Sequence, residues 1–289
     1  MKKLLLSLCV LWACSASAQG ILKESLEVKS KVLDKKVEYS LYLPADYERT
    51  NRRYPVLYLL HGYSDDETGW AQFGEAHLTA ERLMQAGEVP PMIIVMPDAG
   101  VSWYINSADG KVKYEDFFIN EFIPYIDKIY RTRGSKEFRA VAGLSMGGYG
   151  TLVMALKHPD LFAAAAPLSA AVWTDELFTT MPEASFKRYF STVFKENLQG
   201  QERLTAHWYQ NSVLKLVETA PLDPMKKVKF YIDCGDDDFL IKGNMALHAA
   251  MLDRKLPHEF RVRDGGHTWN YWRTALPEVL KFVGESFRR

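Results

Sequence analysis

The chain has 289 residues, 47% of them hydrophobic and 25% charged, a globular composition sufficient for one large domain or two small ones. Lysine plus arginine and aspartate plus glutamate each number 36, so the net charge is zero and the basic excess of a nucleic-acid-binding surface is missing. Seven tryptophans and 15 tyrosines supply rings that fill cores and also line sites for sugars and aryl groups.

Residues 1–18 read as a secretion signal. Lys2 and Lys3 form a positive start, residues 4–13 a short apolar run, and Ala16-Ser17-Ala18 a cleavage site before Gln19. The run is too short to span a bilayer. Cys14 follows Leu11-Trp12-Ala13, a loose likeness to a lipoprotein box that the bulky Trp12 fits poorly. Ordinary cleavage is the expectation, with a secreted or periplasmic protein whose residues 19–289 form a single domain. Cys9 and Cys14 would leave with the signal, and Cys234 would remain alone in an apolar strand as a packing residue.

Leu26 and Val28, then Val37, Tyr39, Leu41 and Leu43, alternate with polar residues and predict a hairpin around Asp34-Lys35. Residues 56–60 are a continuous apolar run, the pattern of a strand covered on both faces. His61-Gly62-Tyr63 ends it, with His61 read as a buried, hydrogen-bonded residue that shapes the loop. A helix over 76–85 and a strand over 92–96 follow. The loop 99–106 leaves the carboxyl end of that strand, where ligand crevices lie, so Trp103 and Tyr104 are candidate substrate walls or else rings covering the domain edge. Phe118, Phe122, Ile126 and Ile129 predict a helix over 114–131, in which Pro124 marks a kink or a second start. Strands over 138–142 and 162–168 flank a helix over 149–156. Residues 171–222 break the alternation with helical, aromatic-rich patterns: an insertion that caps the site, or a peripheral pair of helices. A strand over 228–235, a helix over 241–254, a strand over 258–263 and a helix over 272–287 complete the chain. The order predicts an α/β fold, with a mostly parallel central sheet, helices on both faces and a helical insertion after the nucleophile half.

Gly143-Leu144-Ser145-Met146-Gly147 fits G-x-S-x-G, the nucleophile elbow of α/β-hydrolases, and sits between a predicted strand and helix as that motif requires. A serine hydroxyl needs a base to take its proton. In this fold the chain order is serine, acid, histidine. Of seven histidines, His267 alone follows the last strand, in a glycine-rich loop able to reach back. The acid belongs after the penultimate strand, where Asp236, Asp237 and Asp238 are adjacent, and the residues alone leave that choice open. Three acids also resemble a metal loop, but further matched donors are not evident nearby, so neither metal nor cofactor is expected.

From about residue 37 to the C-terminus the chain resembles the esterase D-like branch of α/β-hydrolases. That branch includes feruloyl and acetylxylan esterases, S-formylglutathione hydrolases and mycolyltransferases of the antigen 85 type. The resembling pieces are Tyr58-Leu59-Leu60-His61-Gly62, Met96-Pro97-Asp98, the elbow with Gly148, Gly235-Asp236-Asp237-Asp238-Phe239-Leu240 and Gly266-His267-Thr268-Trp269. The resemblance implies an α/β-hydrolase fold and a triad of Ser145, Asp238 and His267. It implies oxyanion donors at the backbone N–H groups of Tyr63 and Met146, and it leaves Asp236 and Asp237 facing solvent. S-formylglutathione is cytosolic, so a secreted member with aromatic-rich loops most resembles the feruloyl and acetylxylan esterases. Its partner would be an acylated oligosaccharide or polysaccharide, with Trp103, Tyr104 and Trp269 holding an aryl acyl group or a sugar face. The alternatives are a carboxylesterase or acyltransferase for small or lipid acyl esters, and a catalytically silent carbohydrate-binding protein on the same fold.

Overall fold

The alternating segments Ile21–Ser30 (β1) and Lys35–Leu43 (β2) form the predicted antiparallel hairpin, with Val28 opposite Val37. The computed structural model describes residues 19–195 and 197–287. The expected leader at 1–18, with Cys9 and Cys14, lies outside the described residues. Six further strands follow: Val56–Leu60 (β3), Ile93–Pro97 (β4), Arg139–Leu144 (β5), Ala164–Leu168 (β6), Lys229–Gly235 (β7) and Glu259–Arg263 (β8). Among the described residues these make one eight-stranded sheet in the order β1-β2-β4-β3-β5-β6-β7-β8. The β2–β4 pair is antiparallel, and the strands from β4 across to β8 are parallel.

The continuous apolar run of β3 has a direct cause. Val56, Tyr58 and Leu60 enter one core, Leu57 and Leu59 the other, and none is more than 2% exposed. Each leucine so buried stabilises the sheet by roughly 1.5–3 kcal/mol relative to exposure. Helices Ala76–Gln85 and Trp269–Ser286 cover one face. Met146–Lys157 and Ile241–Asp253 cover the other, beside the helical stretch that begins at Tyr114. That stretch is interrupted as Pro124 predicts. Tyr114–Phe117 passes into a π turn, Phe118–Phe122, before Ile123–Ile129 restarts with the proline in its first turn. Proline has no N–H to continue the ladder, so the hydrogen bonds slip there.

The last helix starts at Trp269, three residues before the expected start at 272. Thr268 is its N-cap and accepts from the Tyr271 amide at 3.3 Å. The first turn, Trp-Asn-Tyr, consists of middling helix formers, so the cap decides where it begins.

Residues 171–222 contain Asp175–Thr180, Glu183–Phe190, Ala206–Asn211 and Val213–Thr219, joined partly through a 3₁₀ turn at Gly200–Arg203. Phe178 stacks on Trp208 with centroids 3.7 Å apart. The buried Arg203 guanidinium donates to the carbonyls of Phe178 at 3.0 Å and Met181 at 2.6 Å, satisfying the C-terminal end of the first helix. The segment is not a pair of helices confined to the sheet edge: among the described residues it has four, and they pack in two directions. Its second half packs on the elbow helix, where Tyr149 Oη donates to the Asn211 carbonyl at 2.8 Å. Its first half turns toward the carboxyl ends of the strands. Among the described residues no helix is long and apolar enough to cross a membrane.

Candidate active site

β5 ends at Leu144 and the next helix starts at Met146, so Ser145 alone makes the turn. Its backbone has φ +56° and ψ −115°, a left-handed conformation that costs a non-glycine residue of order 1–3 kcal/mol. The surroundings hold it there. The Ser145 amide donates to the Leu168 carbonyl at 2.9 Å, and its own carbonyl accepts from the amides of Tyr149 and Ala171, both at 3.0 Å. The flanking glycines are obligatory for space. A Cβ on Gly143 would lie 2.6 Å from the Gly147 carbonyl oxygen, and one on Gly147 would lie 2.4 Å from that of Leu60. Both obstacles are backbone and cannot swing away. Gly147→Ala is therefore expected to destabilise the protein by about 3 kcal/mol, read as a lower urea midpoint. An unchanged midpoint would mean that β3 yields to the new methyl group.

His267, on the loop between β8 and the last helix, completes a relay. Its Nε2 lies 2.9 Å from Ser145 Oγ and its Nδ1 lies 2.8 Å from Asp238 Oδ2. Asp238 is 1% exposed, and its Oδ1 accepts from the Leu240 amide at 2.9 Å. Burial pushes this carboxyl up, but the hydrogen bonds from His267 and the Leu240 amide outweigh burial and hold it below the usual carboxylate range. An ionised Asp238 accepts the Nδ1 proton, which leaves Nε2 free to take a proton from Ser145. By linkage, this depressed group adds stability above the ordinary carboxylate range, and that stability is lost as pH falls through the depressed value. Phe239 lies beside the imidazole at 4.7 Å and Trp272 meets it edge-on at 4.8 Å.

Only one of the three adjacent aspartates meets His267. Asp236 and Asp237 are exposed, and their carboxylates lie with that of Asp264 within 4.8 Å of one another. His61 is buried as expected: Nδ1 donates to the Gly62 carbonyl at 2.7 Å and Nε2 accepts from the Ala99 amide at 2.9 Å. It thereby ties the loop after β3 to the loop after β4. The buried Cys234 thiol is pushed up by burial, consistent with packing rather than reactivity. Among the described residues, the amides of Tyr63 and Met146 donate to no protein acceptor. Met146 is the first residue of its helix, where an unpaired N–H is usual.

A cavity of about 710 Å³ opens above Ser145 and His267. Trp103 and Trp269, two of the candidate substrate walls, line it. Trp103 is fixed by donating from Nε1 to the Tyr189 carbonyl at 2.7 Å and by stacking on Phe190 at 4.6 Å. Trp269 stands edge-on to Trp70 at 5.3 Å. Tyr104 does not belong to the cavity. It is fully buried beneath the loop after β3, its hydroxyl donating to the His61 carbonyl at 3.0 Å and its ring against Gly150. Both Trp103 and Tyr104 have positive φ, +54° and +60°, and this tight turn sends one ring into the cavity and the other into the core. The insertion supplies much of the remaining wall, including Leu177, Met181, Arg188 and Tyr189, while Asp65 comes from the loop after β3. No local pattern marks these residues, because their role depends on how the insertion docks.

The strand order, the strained serine and the hydrogen-bonded histidine define an α/β-hydrolase. The chain belongs to the esterase family: the family model described as "Putative esterase" matches residues 30–283. It is 31% identical over 247 residues to Esterase Rv1288 of Mycobacterium tuberculosis, a match covering 80% of this chain and 52% of that protein. It is 36% identical over 168 residues to an endo-1,4-beta-xylanase/feruloyl esterase of Xylanibacter ruminicola, covering 56% of this chain and 23% of that one. The chain thus spans about half, or less, of the length of these curated relatives. A solved ferulic acid esterase superposes with a TM-score of 0.79 at 37% identity, over 93% of this chain and 100% of that one.

Proposed function

We propose that the protein is a serine carboxylic-ester hydrolase acting outside the cytoplasm on feruloyl or acetyl esters of plant cell-wall polysaccharide. The observation that carries the reading is the Ser145–His267–Asp238 relay, with contacts of 2.9 and 2.8 Å, at the floor of an aromatic-walled cavity. The cavity volume falls within the roughly 300–1,000 Å³ of small-molecule sites. The leader read at residues 1–18 and the likeness to proteins named as feruloyl esterases support the substrate class.

In this mechanism His267 takes the Ser145 proton as Oγ bonds to the ester carbonyl carbon. The free amides of Tyr63 and Met146 bind the resulting oxyanion. The C–O bond to the alcohol breaks, and His267 passes its proton to the leaving oxygen. Water then adds to the acyl carbon as His267 takes its proton, the bond from that carbon to Ser145 Oγ breaks to release the carboxylic acid, and His267 returns the proton to Ser145. Every step uses protein groups and water.

A substrate panel tests the acyl class. Methyl ferulate and aryl acetates are expected to give kcat/KM values at least about tenfold above those of long-chain p-nitrophenyl esters, because Trp103 and Trp269 are held in fixed orientations in the wall. A preference for long chains would favour the lipid-ester alternative. Dominant acyl transfer to an added alcohol, measured by product analysis, would favour an acyltransferase.

A further inference from the structure

Asp233 on β7 is fully buried, yet the proposed reaction does not use it. Its Oδ1 accepts from Tyr271 Oη at 2.6 Å; its Oδ2 accepts from Tyr231 Oη at 3.1 Å and is paired with the Arg263 guanidinium. A buried carboxylate persists only with such partners, because its desolvation is costly. The position of two of them is informative. Arg263 is the last residue of β8, and Tyr271 lies in the first turn of the last helix. Between them runs the loop that carries His267, so one carboxylate ties both ends of that loop to β7. The strand β7 leads directly into the loop that carries Asp238. Main-chain bonds seam the two loops together: Asp236 N donates to the Arg263 carbonyl at 3.0 Å and Asp237 N to that of Gly265 at 3.1 Å. Tyr271 also packs against the loop itself, since a Cβ on Gly265 would lie 2.7 Å from its ring.

We propose that Asp233 is a positioning residue for the hydrolysis, clamping the His267 loop at both ends so that the imidazole meets Ser145 and Asp238 together. This inference rests on the serine-hydrolase reading above. Asp233 reaches neither the cavity nor the reacting atoms, so loosening the clamp lowers kcat and spares KM.

Two single-hydroxyl deletions separate positioning from plain stability. Tyr271→Phe and Tyr231→Phe each remove one hydrogen bond to the same carboxylate, but only Tyr271 anchors the His267 loop. On an aryl acetate, Tyr271→Phe is expected to lower kcat about tenfold with KM within about twofold, as a small misplacement of a catalytic group does. The low-field proton resonance of the His267–Asp238 hydrogen bond should weaken with it. Tyr231→Phe should lose a similar few degrees of melting temperature and keep both kcat and the resonance. Wild-type kcat in Tyr271→Phe, or equal losses in the two variants, overturns the positioning role. Asp233→Asn removes the charge under Arg263 and risks the fold, so the tyrosine pair decides. Ser145→Ala in the same assay keeps the two readings apart. Inactive Ser145→Ala with fully active Tyr271→Phe overturns the clamp alone; active Ser145→Ala overturns the hydrolase reading and the clamp with it.

Discussion

Replacing Ser145 with alanine is expected to lower kcat for an aryl ester by about 10⁶-fold and to leave the protein folded. The size follows from the relay. Ser145 Oγ is the atom His267 Nε2 addresses at 2.9 Å, and among the described residues no other hydroxyl or thiol is hydrogen-bonded to that nitrogen. What remains in the variant is the proposed oxyanion pocket and the cavity walls, which would bind an ester without forming the acyl-enzyme. The fold should tolerate the change because the left-handed backbone at Ser145 is held by main-chain bonds to Leu168, Tyr149 and Ala171, and alanine carries about the same backbone strain as serine. Denaturation midpoint, hydrolysis rate and labelling by a fluorophosphonate probe measure the three consequences. Wild-type turnover, or wild-type labelling, in a folded Ser145→Ala protein would end the assignment and revive the silent carbohydrate-binding reading.

Asp238→Asn is expected to cost about 10⁴-fold in kcat with little change in KM. The side chain is buried beneath His267 and does not line the cavity, so substrate binding is spared. An asparagine keeps an oxygen for the Leu240 amide, but its amide group turned toward His267 Nδ1 favours the tautomer with the proton on Nε2. The base is then blocked where Ser145 needs it, and the imidazolium loses its counter-charge. Asp236→Asn and Asp237→Asn are the matched controls, because both side chains are exposed, and asparagine at 236 keeps the Oδ1 that accepts from the Gly265 amide at 3.1 Å. Their kcat should stay within about twofold of the wild type. A large loss in either control, with activity intact in Asp238→Asn, would move the acid one or two residues along the loop.

Those controls bear on a choice that residue pattern left open. Three adjacent aspartates after β7 are chemically identical in sequence. Only the resemblance to a family pointed to Asp238, and only the folded loop turns that carboxylate inward under His267 while sending its neighbours to solvent. Tyr104 shows the same limit from the other side. Its loop leaves the carboxyl end of β4, as the apolar run before it implies, but the two positive φ angles that send Trp103 and Tyr104 in opposite directions have no glycine to announce them. The insertion was visible as a break in the alternation, whereas its contribution of Leu177, Met181, Arg188 and Tyr189 to the cavity was not. Asp233 gave no sign of its clamp, because an aspartate inside an apolar strand has meaning only beside Arg263 and Tyr271.

By itself, then, the amino-acid sequence determined the strands, the helices, the sharp turn at Ser145 and the histidine that serves it. These are set by local properties: the period of apolar residues, the space that only glycine leaves, and the order of motifs along the chain. Tertiary structure decided which aspartate meets His267, which ring lines the cavity and what holds the histidine loop in place. Ser145 and His267 are 122 residues apart, so their meeting depends on side-chain directions summed over the whole sheet and its loops, and no local pattern encodes that sum.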